Sequence, residues 1–328
     1  MELARRIGAL AYRWATAALL LGLVLGVAAQ PVPPPAARPD LEAELGALRV
    51  PPAWLAEVQT TYDLTTPWKE ARLHVRKLLD QQANHEAIAI TYDYVVTRKA
   101  TPDEHEYGLY LYLGGEYAWA TQVLRARLEA DPDREPFGYA ALASLYLHYG
   151  KPEQALAILE QGLSHLPKAP WDVPAQANLN ERLGDVQVRL GVREEAQKRY
   201  EQAAALYPTS QQPYGRENLA KHVLRIQGKS AVLQRGHGRL DGLTEGTYGG
   251  SGHGYAGEIR VDLDIRQGKV ADLRVSHREH IEQGASKRVP AEILARQSLE
   301  VDAVTAATIT RDAIVEATYR AALKAGLK

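Results

Sequence analysis

The sequence predicts an α+β protein, with an N-terminal all-α region of helical repeats followed by a small α+β domain that contains an antiparallel hairpin sheet. Alanine, leucine and charged residues dominate from about residue 68 to residue 226, which is typical of helices. Glycine, alanine and proline recur in that region at fixed spacing. After Gly228, glycine-rich turns and alternating apolar residues indicate strands.

Three copies of one pattern divide the helical region. In each copy a glycine lies five residues before an alanine, and the alanine lies twelve residues before a proline. The copies are Gly115, Ala120 and Pro132; Gly150, Ala155 and Pro167; and Gly191, Ala196 and Pro208. They resemble the tetratricopeptide repeat, a helix-turn-helix unit of about 34 residues. The alternative is a plain helical bundle with accidental alanine spacing.

Residues 67–230 are therefore predicted to form tetratricopeptide-like helical repeats. We expect small residues at Gly108, Ala143 and Gly184 to let paired helices approach closely. The earlier segment 68–96 lacks the full pattern and is expected only to be helical. Repeats of this kind present a surface that binds a protein partner.

Residues 234–328 are predicted to form the small α+β domain. Ile259, Val261, Leu263 and Ile265 alternate with charged residues, which indicates a half-buried strand. Gln267 and Gly268 form a turn after it, and residues 269–276 return as the second strand of a hairpin. The stretch 312–324 is typical of a helix, with Gly326 just past its end.

The N-terminus has the features of an export signal. Arg5, Arg6 and Arg13 precede an uncharged apolar run over residues 14–29, which ends in small residues. Residues 1–30 are thus predicted to be a signal peptide or a membrane anchor, and the remainder is expected in the periplasm or elsewhere outside the cytoplasm. Residues 31–66 begin with several prolines and are predicted to be a linker and lead-in.

The composition excludes several cofactors and partners. The chain contains no cysteine, so it has no disulfide, no cysteine-bound iron-sulfur cluster and no c-type haem attachment. Its single methionine is Met1, which excludes a blue-copper site with an axial methionine. The formal net charge of -1 gives no basic excess for nucleic acid. A redox role would need another bound cofactor.

Two motifs suggest chemistry that their context does not support. Gly252, Gly254 and Gly257 match Gly-x-Gly-x-x-Gly, but a strand follows instead of the helix that a dinucleotide site needs. We expect these glycines to let strands bend or another segment approach. His277 and His280 lie next to a strand with no third ligand implied, so no metal site is predicted. No catalytic acid, base or nucleophile is predicted either.

The stretch Asp302-Ala303-Val304-Thr305-Ala306-Ala307-Thr308 has the features of a phosphate site. A threonine hydroxyl accepts a phosphoryl group, and its small neighbours leave room for a bulky donor. The helix that follows offers unpaired N–H groups to phosphate oxygens. Helix capping by Thr305, Thr308 and Thr310 is the alternative interpretation.

This stretch resembles the flavinylation motif, Asp-x-x-Ser/Thr-Gly-Ala-Thr, of the FMN-binding domain family found in the Rnf and sodium-pumping NADH:quinone oxidoreductase complexes. The resemblance implies FMN linked through its phosphate to Thr308 by a magnesium-dependent flavin transferase outside the cytoplasm. Asp302, Thr305 and Ala307 also match, whereas Ala306 stands where the family usually has glycine.

The resemblance covers about ninety residues, from Asp241 to the end of the chain. The residues Tyr255 and Gly257, and His277 and Glu279 after the hairpin, resemble that domain's opening strands and the loop near its flavin ring. The cofactor-binding residues that the resemblance implies are Thr308, Asp302, Thr305, Ala306, Ala307, His277, Glu279, Tyr255 and Gly257.

Together these observations favour an exported FMN-binding electron-transfer protein, or an oxidoreductase component, whose repeats dock a redox partner. The isoalloxazine would carry the electrons while the protein holds it. Two alternatives remain at this point. One is a tetratricopeptide assembly or scaffold protein with a flavin-free C-terminal domain, and the other is a reductase that binds FMN noncovalently.

Overall fold

Helices form most of the N-terminal part of the protein. The structure, a computed structural model, describes residues 39–100, 105–134, 136–235, 238–302 and 304–327. The α-helices before the sheet are α1 (Leu41–Ala47), α2 (Trp68–Asp80), α3 (Asn84–Tyr92), α4 (His105–Gly114), α5 (Tyr117–Ala130), α6 (Pro136–His148), α7 (Pro152–Ser164), α8 (Asp172–Arg189), α9 (Arg193–Leu206) and α10 (Leu219–Gln234).

Helices α2 to α9 form consecutive helix-turn-helix pairs, which confirms the predicted helical region. Gly115, Gly150 and Gly191 lie in the turns of three pairs with positive φ angles of 91°, 69° and 78°. Gln82 takes the same position in the pair α2–α3, five residues before Ala87, with φ of 60°. Residues 68–92 therefore form a further pair, although no glycine marks its turn. The assignment of these pairs to the tetratricopeptide family stays a prediction.

Small residues let the two helices of a pair approach closely, as expected. A Cβ atom on Gly108 would lie 2.7 Å from Leu124 Cδ2, and one on Gly184 would lie 2.5 Å from Tyr200 Cε1. The three repeated alanines are fully buried in the same seams. A larger side chain at these positions would push the paired helices apart.

The segment predicted to be a linker is partly helical. Helix α1 occupies Leu41–Ala47 inside the predicted linker, and the Asp40 side chain caps it by accepting a hydrogen bond of 2.8 Å from the Ala43 N–H. Leu41 is fully buried, and Tyr149, which directly follows α6, donates a hydrogen bond of 2.6 Å to Glu44 Oε2. These contacts attach residues 41–47 to the helical pairs. The proline-rich residues 31–38 lie outside the described residues.

The C-terminal part contains a three-stranded antiparallel sheet in the order β1-β2-β3. The strands are β1 (Gly246–His253), β2 (Glu258–Arg266) and β3 (Lys269–Ser276), and the helices are α11 (Ala285–Arg296) and α12 (Thr308–Lys324). The predicted hairpin is confirmed, with both turn residues at positive φ. The last helix begins four residues earlier than expected, at Thr308.

Helix α12 lies directly on β1 because two glycines in that strand leave room for it. A Cβ atom on Gly250 would lie 2.0 Å from the Ala317 carbonyl oxygen, and one on Gly252 would lie 2.1 Å from the Ala313 carbonyl oxygen. Gly252, the first glycine of the Gly-x-Gly-x-x-Gly sequence, thus permits close approach of a helix backbone to the sheet, together with Gly250 before the motif.

The helical pairs and the C-terminal part belong to one compact unit. Helix α10 packs against both α9 and α12, so it connects the last helical pair to the last helix of the chain. Among the described residues, no helix combines the length and the apolar character needed to cross a bilayer. The predicted signal peptide or anchor, residues 1–30, lies outside the described residues.

Candidate functional site

A cavity of about 500 Å³ lies where the helical pairs meet the C-terminal part. One wall comes from α6 to α10, and the opposite wall comes from the end of α11, the loop before α12 and the first half of α12. Sites for small molecules and cofactors typically have volumes of roughly 300–1,000 Å³. Asp302, Thr305 and Thr308, all predicted site residues, line this cavity.

Thr308 is the first residue of α12 and is half-buried. Thr305 Oγ1 lies 3.1 Å from His148 Nδ1, and the Thr310 hydroxyl donates a hydrogen bond of 3.0 Å to Glu279 Oε2. The Thr308 hydroxyl, in contrast, forms no hydrogen bond with any residue in the described ranges. The residue before it, Ala307, provides no side-chain cap for the helix. None of the three threonines is the N-cap residue of α12, which is Ala307.

Arg311 lies one turn after Thr308 and also lines the cavity. Its Nη1 donates to Asp312 Oδ1 at 2.9 Å, and its Nη2 donates to the Val301 carbonyl oxygen at 2.5 Å. Its buried Nε has no hydrogen-bond partner within the described part of the chain. A buried donor without a partner is costly, and a phosphate oxygen is a strong acceptor for it.

The loop before α12 is held by residues of the helical pairs. Ala306 has a φ of 61°, in the left-handed region, and its N–H donates a hydrogen bond of 2.8 Å to Tyr112 Oη on α4. Burial raises the pKa of Tyr112, which keeps the phenol protonated at neutral pH. Thr305 contacts His148, the last residue of α6. The loop conformation therefore depends on residues far away in the sequence.

Asp302 pairs with arginines from both walls of the cavity. Its Oδ1 accepts a hydrogen bond of 3.0 Å from Arg189 Nη2 on α8, and its Oδ2 accepts one of 3.3 Å from Arg296 Nη2 on α11. Its backbone N–H donates to Glu292 Oε1 at 2.9 Å. These three contacts hold Asp302 between the two walls of the cavity.

A buried ion network lies next to the cavity and joins α8, α10 and α12. Glu181 is fully buried and accepts hydrogen bonds of 3.1 and 3.0 Å from Arg225. Lys229 Nζ lies 3.0 Å from Glu181, 2.8 Å from Asp185 and 2.6 Å from Asp312. Burial alone would raise the pKa of Glu181, but Arg225 and Lys229 hold that pKa well below its usual value.

Sequence reasoning missed the residues of the helical pairs that line or support this site. The charged residues of α8 and α10 read as an ordinary solvated helix face, because their partners on α12 are more than eighty residues away. No motif or spacing in the sequence singles out Tyr112 or His148. A weak signal was present, since Arg225 and Lys229 are spaced by four residues and share one helix face.

The remaining predicted site residues form a second group outside the cavity. Glu279 is buried, and its carboxylate accepts hydrogen bonds of 2.7 Å from the Ala256 N–H and 3.2 Å from the Tyr255 N–H. His277 Nδ1 accepts a hydrogen bond of 3.2 Å from the Glu279 N–H, and Gly257 has φ of 154°. Tyr255 is 79% exposed. The contact between Glu279 and Thr310 links this turn to α12, but its residues do not line the cavity.

The described residues contain no cluster of three or more His, Asp or Glu side chains arranged to hold a metal ion. Residues 254–323 match the family model of the FMN-binding domain. No curated protein matches the chain. The C-terminal part thus contains an FMN-binding domain, and the matched segment includes both groups of predicted site residues. The helical pairs lie outside this segment.

Proposed function

We propose that the protein is an exported electron-transfer flavoprotein in which the phosphate of FMN is esterified to the Thr308 hydroxyl. The observation that carries the proposal is the hydroxyl of Thr308, which forms no hydrogen bond within the described residues and lies at a cavity in a segment that matches an FMN-binding domain. When bound, FMN supplies reversible one-electron and two-electron chemistry.

The residues present fit a flavin phosphate. The first N–H groups of α12 have no partner within the helix, and Ala307 provides no side-chain cap for them. The Nε of Arg311 adds a buried donor without a partner in the described ranges. A phosphate esterified to Thr308 would be adjacent to this helix end, where negative charge is favoured.

Attachment requires an activated flavin. The Thr308 Oγ1–H bond breaks and an Oγ1–P bond forms, while the proton passes to a base of the flavin transferase. A P–O bond of a flavin phosphoanhydride such as FAD breaks in the same step, and AMP leaves with that bond's electrons. The product is a phosphoester, and the flavin is neither oxidised nor reduced.

We also propose that the protein docks a redox partner on the surfaces of the helical pairs that the C-terminal domain does not cover. The inner side of α4, α6 and α8 already contacts the domain through Tyr112, His148 and Arg189. Repeats of helical pairs commonly bind protein partners, which supports this role for their free surfaces. An N-terminal export signal would place both proteins outside the cytoplasm.

The test is to express the full chain with a flavin transferase and export it. We expect in-gel flavin fluorescence after denaturation, and an intact mass that is higher than that of the mature chain by one FMN less one water. Thr308→Ala should abolish both signals. Thr305→Val should keep them, because it removes a hydroxyl that already contacts His148.

Other outcomes separate the competing functions. A native protein that is yellow but loses its colour on denaturation would show noncovalent FMN and would contradict the ester. A colourless native protein would favour a flavin-free scaffold. The same mass measurement reports whether residues 1–30 are removed.

A further inference from the structure

We propose that the isoalloxazine ring of FMN attached at Thr308 lies in the cavity between the helical pairs and the C-terminal domain, so that the helical pairs form one wall of the flavin site. This inference rests on the proposed function. It assigns a cofactor-binding role to a part of the chain that the FMN-binding domain match does not cover.

Thr308 itself lines the cavity, so a group attached to its hydroxyl starts at the cavity wall. The cavity volume of about 500 Å³ is within the range of sites that hold a mononucleotide. No long connection is needed between the attachment point and the enclosed space.

The helical pairs supply a cavity wall with both apolar and charged side chains. Leu147 of α6, Val186 of α8 and Val232 of α10 offer apolar surface of the kind that covers an aromatic ring. Arg182 and Arg189 of α8 add charged N–H donors, which suit the carbonyl oxygens and ring nitrogens of a flavin. Carboxylates also line the cavity, and Asp185 and Asp302 among them are paired with Lys229 and Arg189. The lining therefore offers apolar surface for the ring together with charged N–H donors for its polar edge.

The helical pairs also hold the loop that precedes Thr308. The first helices of three helical pairs, α4, α6 and α8, each contact this loop. Tyr112 contacts Ala306, His148 contacts Thr305 and Arg189 contacts Asp302. These contacts hold the residues just before Thr308 and keep Thr308 at the cavity. The same helices that hold the loop also supply the cavity wall.

The alternative location is the turn around Tyr255. That turn is joined to α12 through Glu279 and Thr310, and Tyr255 is 79% exposed. A ring placed there would lie beside Tyr255, outside the cavity that Leu147 lines. The two locations can therefore be distinguished by which side chain is next to the ring.

The experiment uses the full chain loaded with FMN, with loading verified by intact mass, and measures the flavin fluorescence lifetime. Leu147→Trp places an indole in the cavity wall on α6. An indole next to an excited flavin donates one electron and then recovers it, which shortens the lifetime without changing the covalent structure. Phe137→Trp is the matched control, because Phe137 is on the same helix, is 52% exposed and does not line the cavity.

We expect Leu147→Trp to shorten the lifetime several-fold, and Phe137→Trp and Tyr255→Phe to leave it unchanged. A lifetime that lengthens in Tyr255→Phe and is unaffected by Leu147→Trp would place the ring at the turn and overturn the inference.

If Leu147→Trp does not fold, acrylamide quenching of flavin fluorescence in the unsubstituted protein tests the inference instead. The flavin should then be several-fold less accessible in the native protein than after unfolding in urea, and equal accessibility overturns the inference. Absence of the FMN mass increment would instead contradict the proposed function.

Discussion

The backbone N–H of Ala306 donates a hydrogen bond of 2.8 Å to Tyr112 Oη across 194 residues of sequence. It joins the loop that precedes α12 to the helix α4. Because Ala306 is two residues before Thr308, the helical pairs influence the conformation of the proposed attachment site directly. A residue outside the matched segment thus contacts the domain that matches the FMN-binding family.

Tyr112→Phe should destabilise this loop. The substitution removes the acceptor of the Ala306 N–H, and loss of such a hydrogen bond costs about 1 kcal/mol of unfolding free energy. Urea denaturation measures that loss, and hydrogen exchange should show faster exchange of the Ala306 amide. Tyr117→Phe is the control, since the Tyr117 hydroxyl has no hydrogen-bond partner among the described residues. Equal protection of the Ala306 amide in both variants would contradict the assigned role.

Ala306→Gly should stabilise the protein. Ala306 has φ of 61°, a conformation that costs an L-residue with a Cβ about 1 kcal/mol, and glycine avoids that cost. We expect a gain of about 0.5–1 kcal/mol in the free energy of unfolding. Ala307→Gly is the matched control, because Ala307 has φ of -134° and is buried, so glycine there should destabilise. A loss of stability in Ala306→Gly would show that the strain is absent.

The sequence predicts much of the fold because its local patterns are strong. Gly150 and Gly191 mark turns that need positive φ, and the alternation from Ile259 to Ile265 marks a strand with one buried face. Gln82 occupies the same kind of turn without glycine, so no composition signal indicates it. Helix α11 was not predicted, because Pro290 lies inside it and proline argues against a helix interior.

The candidate site is predicted only in part, for a physical reason. The motif from Asp302 to Thr308 is local, so its residue types indicate phosphate chemistry. The cavity and its second wall depend on contacts between residues more than a hundred positions apart, such as Arg189 and Asp302. Periodicity and spacing describe one element at a time, and they do not report which faces of distant elements meet.

His222 should make the protein less stable as the pH falls below neutrality. Burial, and then the charge of Arg225, lower the pKa of His222 from 6.5 to about 4. Arg225 Nη2 lies 2.7 Å from His222 Nδ1, so this nitrogen must act as the acceptor and the ring must stay neutral. When the pH is below the pKa that His222 has in the unfolded chain, the unfolded chain binds a proton at His222 and the folded protein does not. The free energy of unfolding therefore decreases as the pH falls, by about 2 kcal/mol between about pH 7 and about pH 5.

His222→Phe isolates this contribution. Phenylalanine keeps an aromatic ring on Tyr207, against which His222 stacks with ring centroids 4.7 Å apart. The pH dependence of the variant should be flatter over the same interval in urea denaturation. Glu181 does not interfere, because its pKa is lowered and its contribution is lost only as the pH falls further, through that lowered value. An identical slope in the variant and the unsubstituted protein would assign the pH dependence to other groups.

Gly252→Ala should displace α12 from the sheet. A Cβ atom at this position would lie 2.1 Å from the Ala313 carbonyl oxygen, and a backbone atom within a helix does not move independently of its helix. We expect a loss of at least about 3 kcal/mol of unfolding free energy, the upper end for overpacking. Because α12 begins at Thr308, the same variant should carry less covalent flavin on a denaturing gel.

Gly249→Ala is the matched control for this substitution. Gly249 lies three residues earlier in β1, and the nearest atom to its added Cβ would be Asp262 Oδ1 at 3.4 Å, the end of a side chain. Alanine is also better than glycine in a strand by roughly 0.5–1 kcal/mol, so this variant should be as stable as the unsubstituted protein or slightly more stable. If both variants unfold at the same urea concentration, the close contact of α12 with β1 does not fix the helix. If only Gly252→Ala loses stability and flavin together, the strand glycines position Thr308 through the backbone of α12.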